Sequence, residues 1–464
     1  MRDLRKIEGI YFVGIGGIGM SAIALYFRKG GFTIGGYDRS ESNITENLTG
    51  EGCLISYKDE VSSLPGLFTD PHKKDRVLVV FTPAIPAESR IMAFFRDNGY
   101  DICKRSEILG EISANTDTLA VAGTHGKTTV STMTSHLLKQ SAVDCSAFLG
   151  GISKNYNSNL ILGNSRYTVI EADEFDRSFH RLTPMMAIVT SMDADHLDIY
   201  GEHETMIEAY NIFIGKIRKG GTLVVNSSIK QKVIKPEGVN MLTYGREPGS
   251  DFRCYDIVNH GGFYTFSLDT PHGKIKEINF AFPGIVNIEN LTTAAAIAMQ
   301  CGVTEDELRK AAILFQGVRR RFDIRVNIPG LAYIDDYAHH PEEIRACINS
   351  VREYFTGRKI TGIFQPHLFS RTRDHASGFA EILDQLDEAI VMPIYPAREK
   401  PIPGVSSEMI LERMKLPNRR LLTKADIPGK LDIAGLDVLV TIGAGDIDSL
   451  AGPIEQALKK YRTA

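Results

Sequence analysis

Short apolar runs alternate with amphipathic stretches along most of the chain, and that alternation predicts α/β units built on mainly parallel sheets. Residues 10–13 read as a first strand, followed by a glycine turn and a helix to about residue 29. Further strands are expected at 32–37 and 76–82. A second strand–turn–helix unit opens at 118–122, and its helix carries Val130, Met133, Leu137 and Leu138 at helical spacing. Residues 167–171, 186–190 and 222–226 continue that series. Between about 240 and 281, short alternating segments and glycine turns predict an antiparallel β insertion. A third α/β series opens near Arg321, with strands at 331–335, 360–364, 388–393 and 437–442. Breaks near Leu109 and Gly317 divide the chain into three domains, 1–109, 110–317 and 318–464.

A length of 464 residues agrees with about three domains, and 43% hydrophobic with 24% charged residues is ordinary for a globular enzyme. The net charge of −4 implies no large basic surface, so nucleic acid is not an expected partner. No run approaches the ~18 apolar residues of a membrane helix, and the charged N-terminal stretch lacks a signal-peptide core. The six cysteines contain no CxxC pair, which predicts reduced, mostly buried thiols rather than a zinc site or a disulfide framework. A cytoplasmic location follows as the expectation.

Three groups of residues carry chemistry. GIGGIG at 14–19 follows a strand and precedes a helix, so Gly14, Gly16, Gly17 and Gly19 can bring backbone close to a diphosphate at a helix N-terminus. Asp38 follows the second strand at the distance of a ribose contact, or is a solvated loop carboxylate. This turn fits an NAD enzyme, a UDP-sugar enzyme or a ligand-free turn. AGTHGKTT at 122–129 is more specific. Amides of Gly123, Thr124, His125 and Gly126 can converge on phosphates, Lys127 can neutralise them, and the Thr128 or Thr129 hydroxyl can ligate Mg²⁺. Val121 stands where the general pattern has its first glycine, so the loop is the shorter G-x-x-G-K-T form. Near it in the same series lie Glu171, Asp173 and Glu174 at one strand end and Asp193, His196 and Asp198 at another. Glu171 suits Mg²⁺; the other acids read equally as capping or loop charges.

In the last series, Asp335, Asp336, Tyr337, His339 and His340 follow one strand, and His367, Ser370 and Arg371 follow the next. Adjacent histidines beside a helix start have no third ligand nearby, whereas Arg371 offers a planar fork to a carboxylate. Arg319, Arg320 and Arg321 form a solvated cluster or a clamp on phosphates. GAGD at 443–446 is first a tight turn.

In this order, GIGGIGMS at 14–21, AGTHGKTT at 122–129, IEADEFD at 170–176, DADHLDIYG at 193–201, GVRRRFD at 317–323, DDYAHHP at 335–341 and FQPHLFSRTRD at 364–374 resemble the Mur ligase family over essentially the whole chain. The resemblance implies a Rossmann-like UDP-sugar domain, a central P-loop ATPase-type α/β domain with a β insertion, and a Rossmann-like C-terminal domain binding adenosine and an amino acid. It also implies amide-bond ligation driven by ATP with Mg²⁺. The motifs are most similar to the alanine-adding branch, which implies UDP-N-acetylmuramate and L-alanine as substrates. A branch that recycles ready-made tripeptides onto the same sugar is the nearest alternative; an NAD oxidoreductase would leave 123–129 unexplained. The resemblance places Lys127, Glu171 and His196 in catalysis, with Thr128, Glu171 and His196 at the metal. Asn287 and Asn290 would lie near adenine, Asp336 on ribose, Arg320 or Arg321 on phosphates, and Tyr337, His367 and Arg371 around the amino acid. Gly14, Gly16, Gly17, Gly19 and Asp38 would receive the UDP-sugar. Two departures stand out: Val286 replaces the family's usual histidine before Asn287, and no lysine occurs between Asp195 and Gly215.

Overall fold

The computed structural model describes residues 2, 4–194, 197–397 and 399–463. They form two compact units, one of Met1–Ile257, Phe266–Asn279 and Glu289–Phe315, the other of Val258–Thr265, Phe280–Ile288 and Gln316–Ala464.

In the first unit, Gly9–Val13 is buried along its whole length, as a parallel strand covered on both faces must be. It is the central strand of a five-stranded parallel sheet, between Thr33–Tyr37 and Val77–Phe81, with Leu54–Ser56 and Asp101–Lys104 at the edges. Strand order reverses at Gly9–Val13, so the crevice beyond Val13 is where such a sheet takes a ligand. The second sheet has ten strands. Its Asp117–Ala122 runs parallel between Met186–Val189 and Tyr167–Glu171, which creates the same kind of switch point. The two sheets share one core, in which Tyr26 meets Phe148 at 5.2 Å between ring centres. Asn159 joins them as well, donating to Ile18 O (2.5 Å) and Ser21 Oγ (2.9 Å) on the first helix, Ile18–Lys29.

The expected antiparallel insertion needs correcting at its first strand. Asn240–Gly245 pairs in parallel with Thr222–Asn226 and with the start of Phe252–Asn259, extending the parallel sheet by one more strand. Only from Phe252–Asn259 through Tyr264–Thr270 to Gly273–Phe280 are the connections short enough to require a meander.

The second unit carries a six-stranded sheet. Leu331–Asp336, Val438–Ile442, Ile360–Phe364, Glu388–Val391 and Arg419–Leu421 are parallel in that spatial order. Asp323–Ile328, which alternates Arg325 and Asn327 with apolar residues, pairs antiparallel on the outer edge. Helix Pro341–Tyr354 begins with proline at its first position and Glu342 and Glu343 in its first turn, both favourable at a helix N-terminus. Five of the six cysteines are buried and none is paired. Among the described residues no helix is long and apolar enough to cross a membrane.

Helix Lys127–Lys139 is enclosed by protein, and its His136 is 1% exposed. The ring contacts Ala311 O through Nε2 (2.9 Å) and Tyr156 Oη through Nδ1 (3.3 Å), partners that suit a neutral imidazole. Burial lowers its pKa, against a raising contribution from the Ala311 carbonyl. Below the ordinary value of 6.5 the unfolded chain therefore binds a proton that the fold resists. Stability from this site should be complete above that pH and decline as pH falls through the lowered folded value. Urea unfolding followed by far-UV circular dichroism should show this slope in the wild type and a shallower one in His136→Gln.

Candidate functional site

The loop after Asp117–Ala122 turns through Gly123 at φ +129° and Gly126 at φ +82°, conformations that side chains rarely adopt. A Cβ on Gly123 would lie 2.0 Å from Thr190 Oγ1, so the loop packs against the end of the neighbouring strand with no room to spare. Thr190 Oγ1 also donates to His125 O (2.5 Å), Thr124 N–H to Ser191 O (3.2 Å) and His125 N–H to Ser191 Oγ (3.0 Å). Gly126 then caps the helix that begins at Lys127, aiming the positive end of its dipole out of the loop.

Three side chains line this opening. Lys127 Nζ donates to Gly123 O (2.8 Å), Thr124 O (3.3 Å) and Glu174 Oε1 (2.7 Å). Burial works against its charge, but Glu174, Asp173 and Glu171 outweigh it and hold the pKa above the ordinary value. Thr128 Oγ1 donates to Glu171 Oε1 at 3.0 Å, and Glu171 Oε2 accepts from Gly150 N–H (3.0 Å) and Ser131 Oγ (3.4 Å). The hydroxyl and carboxylate singled out for Mg²⁺ are thus neighbours. Thr129 is buried one residue further along, and Asn290 lies beside Gly126, where a Cβ would come 3.1 Å from its Oδ1. His196 lies outside the described residues. Asp193 is mostly exposed, with its backbone oxygen accepting from Thr124 Oγ1 (3.0 Å).

Glu174 departs from its reading as a loop charge: it is 1% exposed and forms an ion pair with Lys127. Only the glutamate's place three residues after Glu171 hinted at this. Arg105 was missed as well. Its guanidinium lies over Gly19, where a Cβ would come 2.1 Å from Nη1, and it approaches Asp173 at 3.6 Å. Gly14 takes φ +89°, Gly17 caps the first helix, and Gly16 N–H donates to Asp38 Oδ2 at 2.7 Å. Asp38 Oδ1 accepts from Arg39 N–H, so this carboxylate braces the turn.

In the second unit, Asp336 is buried and accepts from Phe322 N–H (2.7 Å) and Ala338 N–H (2.8 Å). Burial pushes its pKa up to about 6, opposed by Arg321. Arg320 is engaged by Gly443 O (2.6 Å), Asp335 (3.5 Å) and Asp448 (3.6 Å), and both Arg320 and Arg321 lie 5.0 Å from the Tyr337 ring centre. Arg371 Nη1 is 3.4 Å from His367 Nδ1. His339 stands between Tyr337 (5.5 Å) and His367 (6.0 Å), so the three residues expected around the amino acid converge through a histidine that sequence reasoning had left as a helix flank. Tyr395 stacks on His367 at 5.8 Å, and Glu399 accepts from Ser370 N–H (3.0 Å) and Oγ (2.5 Å). Asn287 also belongs to this unit, with Nδ2 donating to Pro283 O (2.5 Å). Among the described residues no group of three or more His, Cys, Asp or Glu side chains is gathered so as to hold a metal ion.

Parallel sheets with a lysine-bearing phosphate loop at a switch point define a nucleotide-dependent α/β enzyme. The chain matches the Mur ligase family catalytic domain over residues 9–116, the Mur ligase middle domain over 121–298 and the glutamate ligase domain over 320–445, and it belongs to the Mur ligase family. It is 48% identical over 459 residues to a UDP-N-acetylmuramate–L-alanine ligase of Parabacteroides distasonis, covering 99% of both chains. It is 46% identical to one from Porphyromonas gingivalis, covering 98% of this chain and 99% of the other. The crystal structure of UDP-N-acetylmuramate-alanine ligase from Thermotoga maritima superposes with a TM-score of 0.81 at 25% identity, over 98% of this chain and 99% of that one. The oxidoreductase alternative falls with this membership.

The loop's tight packing carries a testable consequence. Gly123→Ala should lose ADP binding in isothermal titration, with a stability loss of roughly 1–3 kcal/mol from backbone strain to which the clash with Thr190 adds.

Proposed function

We propose that the chain is a cytoplasmic ligase that couples ATP hydrolysis to joining L-alanine to UDP-N-acetylmuramate in peptidoglycan synthesis. The products are UDP-N-acetylmuramoyl-L-alanine, ADP and phosphate. One observation carries the reading: a lysine-bearing phosphate loop with Thr128 and Glu171 at its mouth, in a chain that aligns end to end with L-alanine ligases. Residues 1–109 serve as the UDP-sugar domain, 110–317 as the ATP domain and 318–464 as the domain for amino acid and adenosine. The gap between the family matches at 299–319 contains the second boundary, whereas the first match runs on to 116 and helix Arg105–Ala114 crosses the boundary at 109.

The reaction proceeds by activation and aminolysis. The sugar's carboxylate attacks the γ-phosphorus of ATP, forming an acyl phosphate and releasing ADP. The alanine amine then attacks the acyl carbon, and the tetrahedral intermediate expels phosphate. Amides from Gly123 to Gly126 and the helix N-terminus hold the phosphates, with Thr129 on the same first turn, and Lys127 stabilises charge on the phosphoryl group in transfer. The oxygen donors Thr128 and Glu171 fit a hard cation and, with His196, would hold Mg²⁺, which when bound neutralises phosphate charge. Asn287 and Asn290 serve adenine, and Arg320 or Arg321 the phosphates. Asp336 meets ribose from the carboxyl end of its strand, Leu331–Asp336. Gly14, Gly16, Gly17 and Gly19 cradle the UDP diphosphate, with Asp38 bracing their turn.

Two variants test these roles. Lys127→Ala should fold, because the buried Glu174 can take a proton when its partner is gone, and ADP formation should fall at least roughly 100-fold. Near-normal turnover in the folded variant would remove the loop from catalysis. Arg371→Lys should raise KM for L-alanine roughly tenfold or more with little change for ATP, since an ammonium cannot reproduce the guanidinium's two-pronged grip on a carboxylate. Steady-state kinetics varying each substrate in turn would decide it.

A further inference from the structure

Tyr333 and Asp335 stand two residues apart on strand Leu331–Asp336, so their side chains leave the same face of the sheet. Both are buried, as is Thr441 on the parallel neighbour Val438–Ile442, which pairs with Asp335. Thr441 Oγ1 donates to Asp335 Oδ1 (2.8 Å) and lies 3.0 Å from Tyr333 Oη. A hydroxyl has one proton, so with that proton on the carboxylate Thr441 accepts from the Tyr333 phenol. This chain of hydroxyls ends on Asp335 and fixes its orientation. The second carboxylate oxygen, Oδ2, faces Arg320 Nε at 3.5 Å.

We propose that Asp335 is a positioning residue, which holds the inner edge of the Arg320 guanidinium so that the outer edge is presented to the phosphates of the nucleotide. The proposal rests on reading Arg320 as a contact of nucleotide phosphate.

The two edges of the guanidinium are held differently. On the inner side, Nη2 donates to Gly443 O (2.6 Å) and Nε turns to Asp335, which is 1% exposed and cannot swing away. On the outer side, Nη1 approaches Asp448 Oδ2 at 3.6 Å. The Asp448 side chain is 52% exposed, so this pair is weak and water can take the carboxylate when an anion arrives. The Tyr337 ring, 5.0 Å from the guanidinium carbon, supports its flat face. A buried carboxylate is costly unless a cation and hydrogen bonds compensate it. Burial pushes the Asp335 pKa up, and Arg320 is the largest influence drawing it down, ahead of Thr441. Asp335 thus acts on the arginine and not on the ligand.

The test is ADP binding to the full-length chain by isothermal titration, with adenosine as a probe that lacks phosphate. Asp335→Asn keeps an acceptor for Thr441 but removes the charge facing Nε. It should bind ADP roughly tenfold more weakly, within the coupling expected of residues in contact, and adenosine as before. KM for ATP should rise as well. A second arm repeats the substitution in Arg320→Lys, whose ammonium has no counterpart of Nε. There Asp335→Asn should cost no further ADP affinity. Unchanged ADP affinity in the single variant, an equal loss for adenosine, or the same loss in both backgrounds would overturn the proposal. If Asp335→Asn does not fold by circular dichroism, Thr441→Val carries the test. It releases the carboxylate from its hydroxyl, so a smaller loss confined to ADP is expected; no loss overturns the idea. Arg320→Lys that binds ADP as tightly as the wild type would instead overturn the reading of Arg320 on phosphate.

Discussion

A parallel sheet covered on both faces leaves one place for polar chemistry, the carboxyl edge of its strands, and the phosphate loop, the glycine turn, Glu171 and Asp336 all follow from that constraint. Gly9–Val13 is buried throughout, and its edge continues into the glycine turn braced by Asp38. Asp117–Ala122 leads into the phosphate loop, while its neighbour Tyr167–Glu171 ends on the carboxylate that meets Thr128. In the second unit Leu331–Asp336 ends on Asp336, and Val438–Ile442 beside it turns sharply at Gly443. The apolar interiors thus decide where function can lie before any catalytic residue is considered.

A site for anions must also be a stable arrangement of cations, and the structure meets this requirement repeatedly in the same way. Lys127 is matched by Glu174, Arg105 by Asp173, and Arg320 by Asp335 and Asp448. These pairs are not equivalent. Arg105–Asp173 is partly exposed and long, so it contributes little to stability. Lys127–Glu174 is almost wholly enclosed, so removing the ammonium would drive the carboxyl to take up a proton and not stay charged. An internal acid next to a buried cation is therefore a structural necessity.

Much of this was legible in the sequence, because strands buried on both faces read as continuous apolar runs and glycine turns mark their ends. Tyr167–Glu171, Thr222–Asn226 and Ile360–Phe364 fall where the pattern places them. What escaped was short or two-faced. Leu54–Ser56 and Arg419–Leu421 are three-residue edge strands with no period to detect, and Asp323–Ile328 alternates like a loop-flanking segment. Asn240–Gly245 has the composition of a hairpin strand, yet pairing partners, which composition does not encode, make it parallel. In the site, the loop and Glu171 are contiguous motifs, whereas the roles of Glu174, Arg105 and His339 depend on distances across strands. A glutamate that is 1% exposed looks the same in sequence as one on a surface loop.

Backbone strain makes the same point from another side. Left-handed φ at non-glycine residues is unfavourable by roughly 1–2 kcal/mol each and survives only where surrounding contacts impose it. Arg320 (φ +61°), Phe322 (φ +45°) and Leu368 (φ +71°) all flank the residues expected to meet adenosine and amino acid. The contacts that impose it can be named: Asp336 Oδ2 holds Phe322 N–H, Tyr337 N–H holds Arg320 O, and Tyr395 O holds Leu368 N–H. These bonds fix the arginines over Tyr337 and start helix Phe369–Leu383 so that Arg371 comes to His367. Asp336 is then an organiser of the backbone before it is a ligand contact. Its burial follows from that first duty, since a carboxylate that must hold the Phe322 amide of the strained turn and the Ala338 amide of its own loop has to sit beneath both.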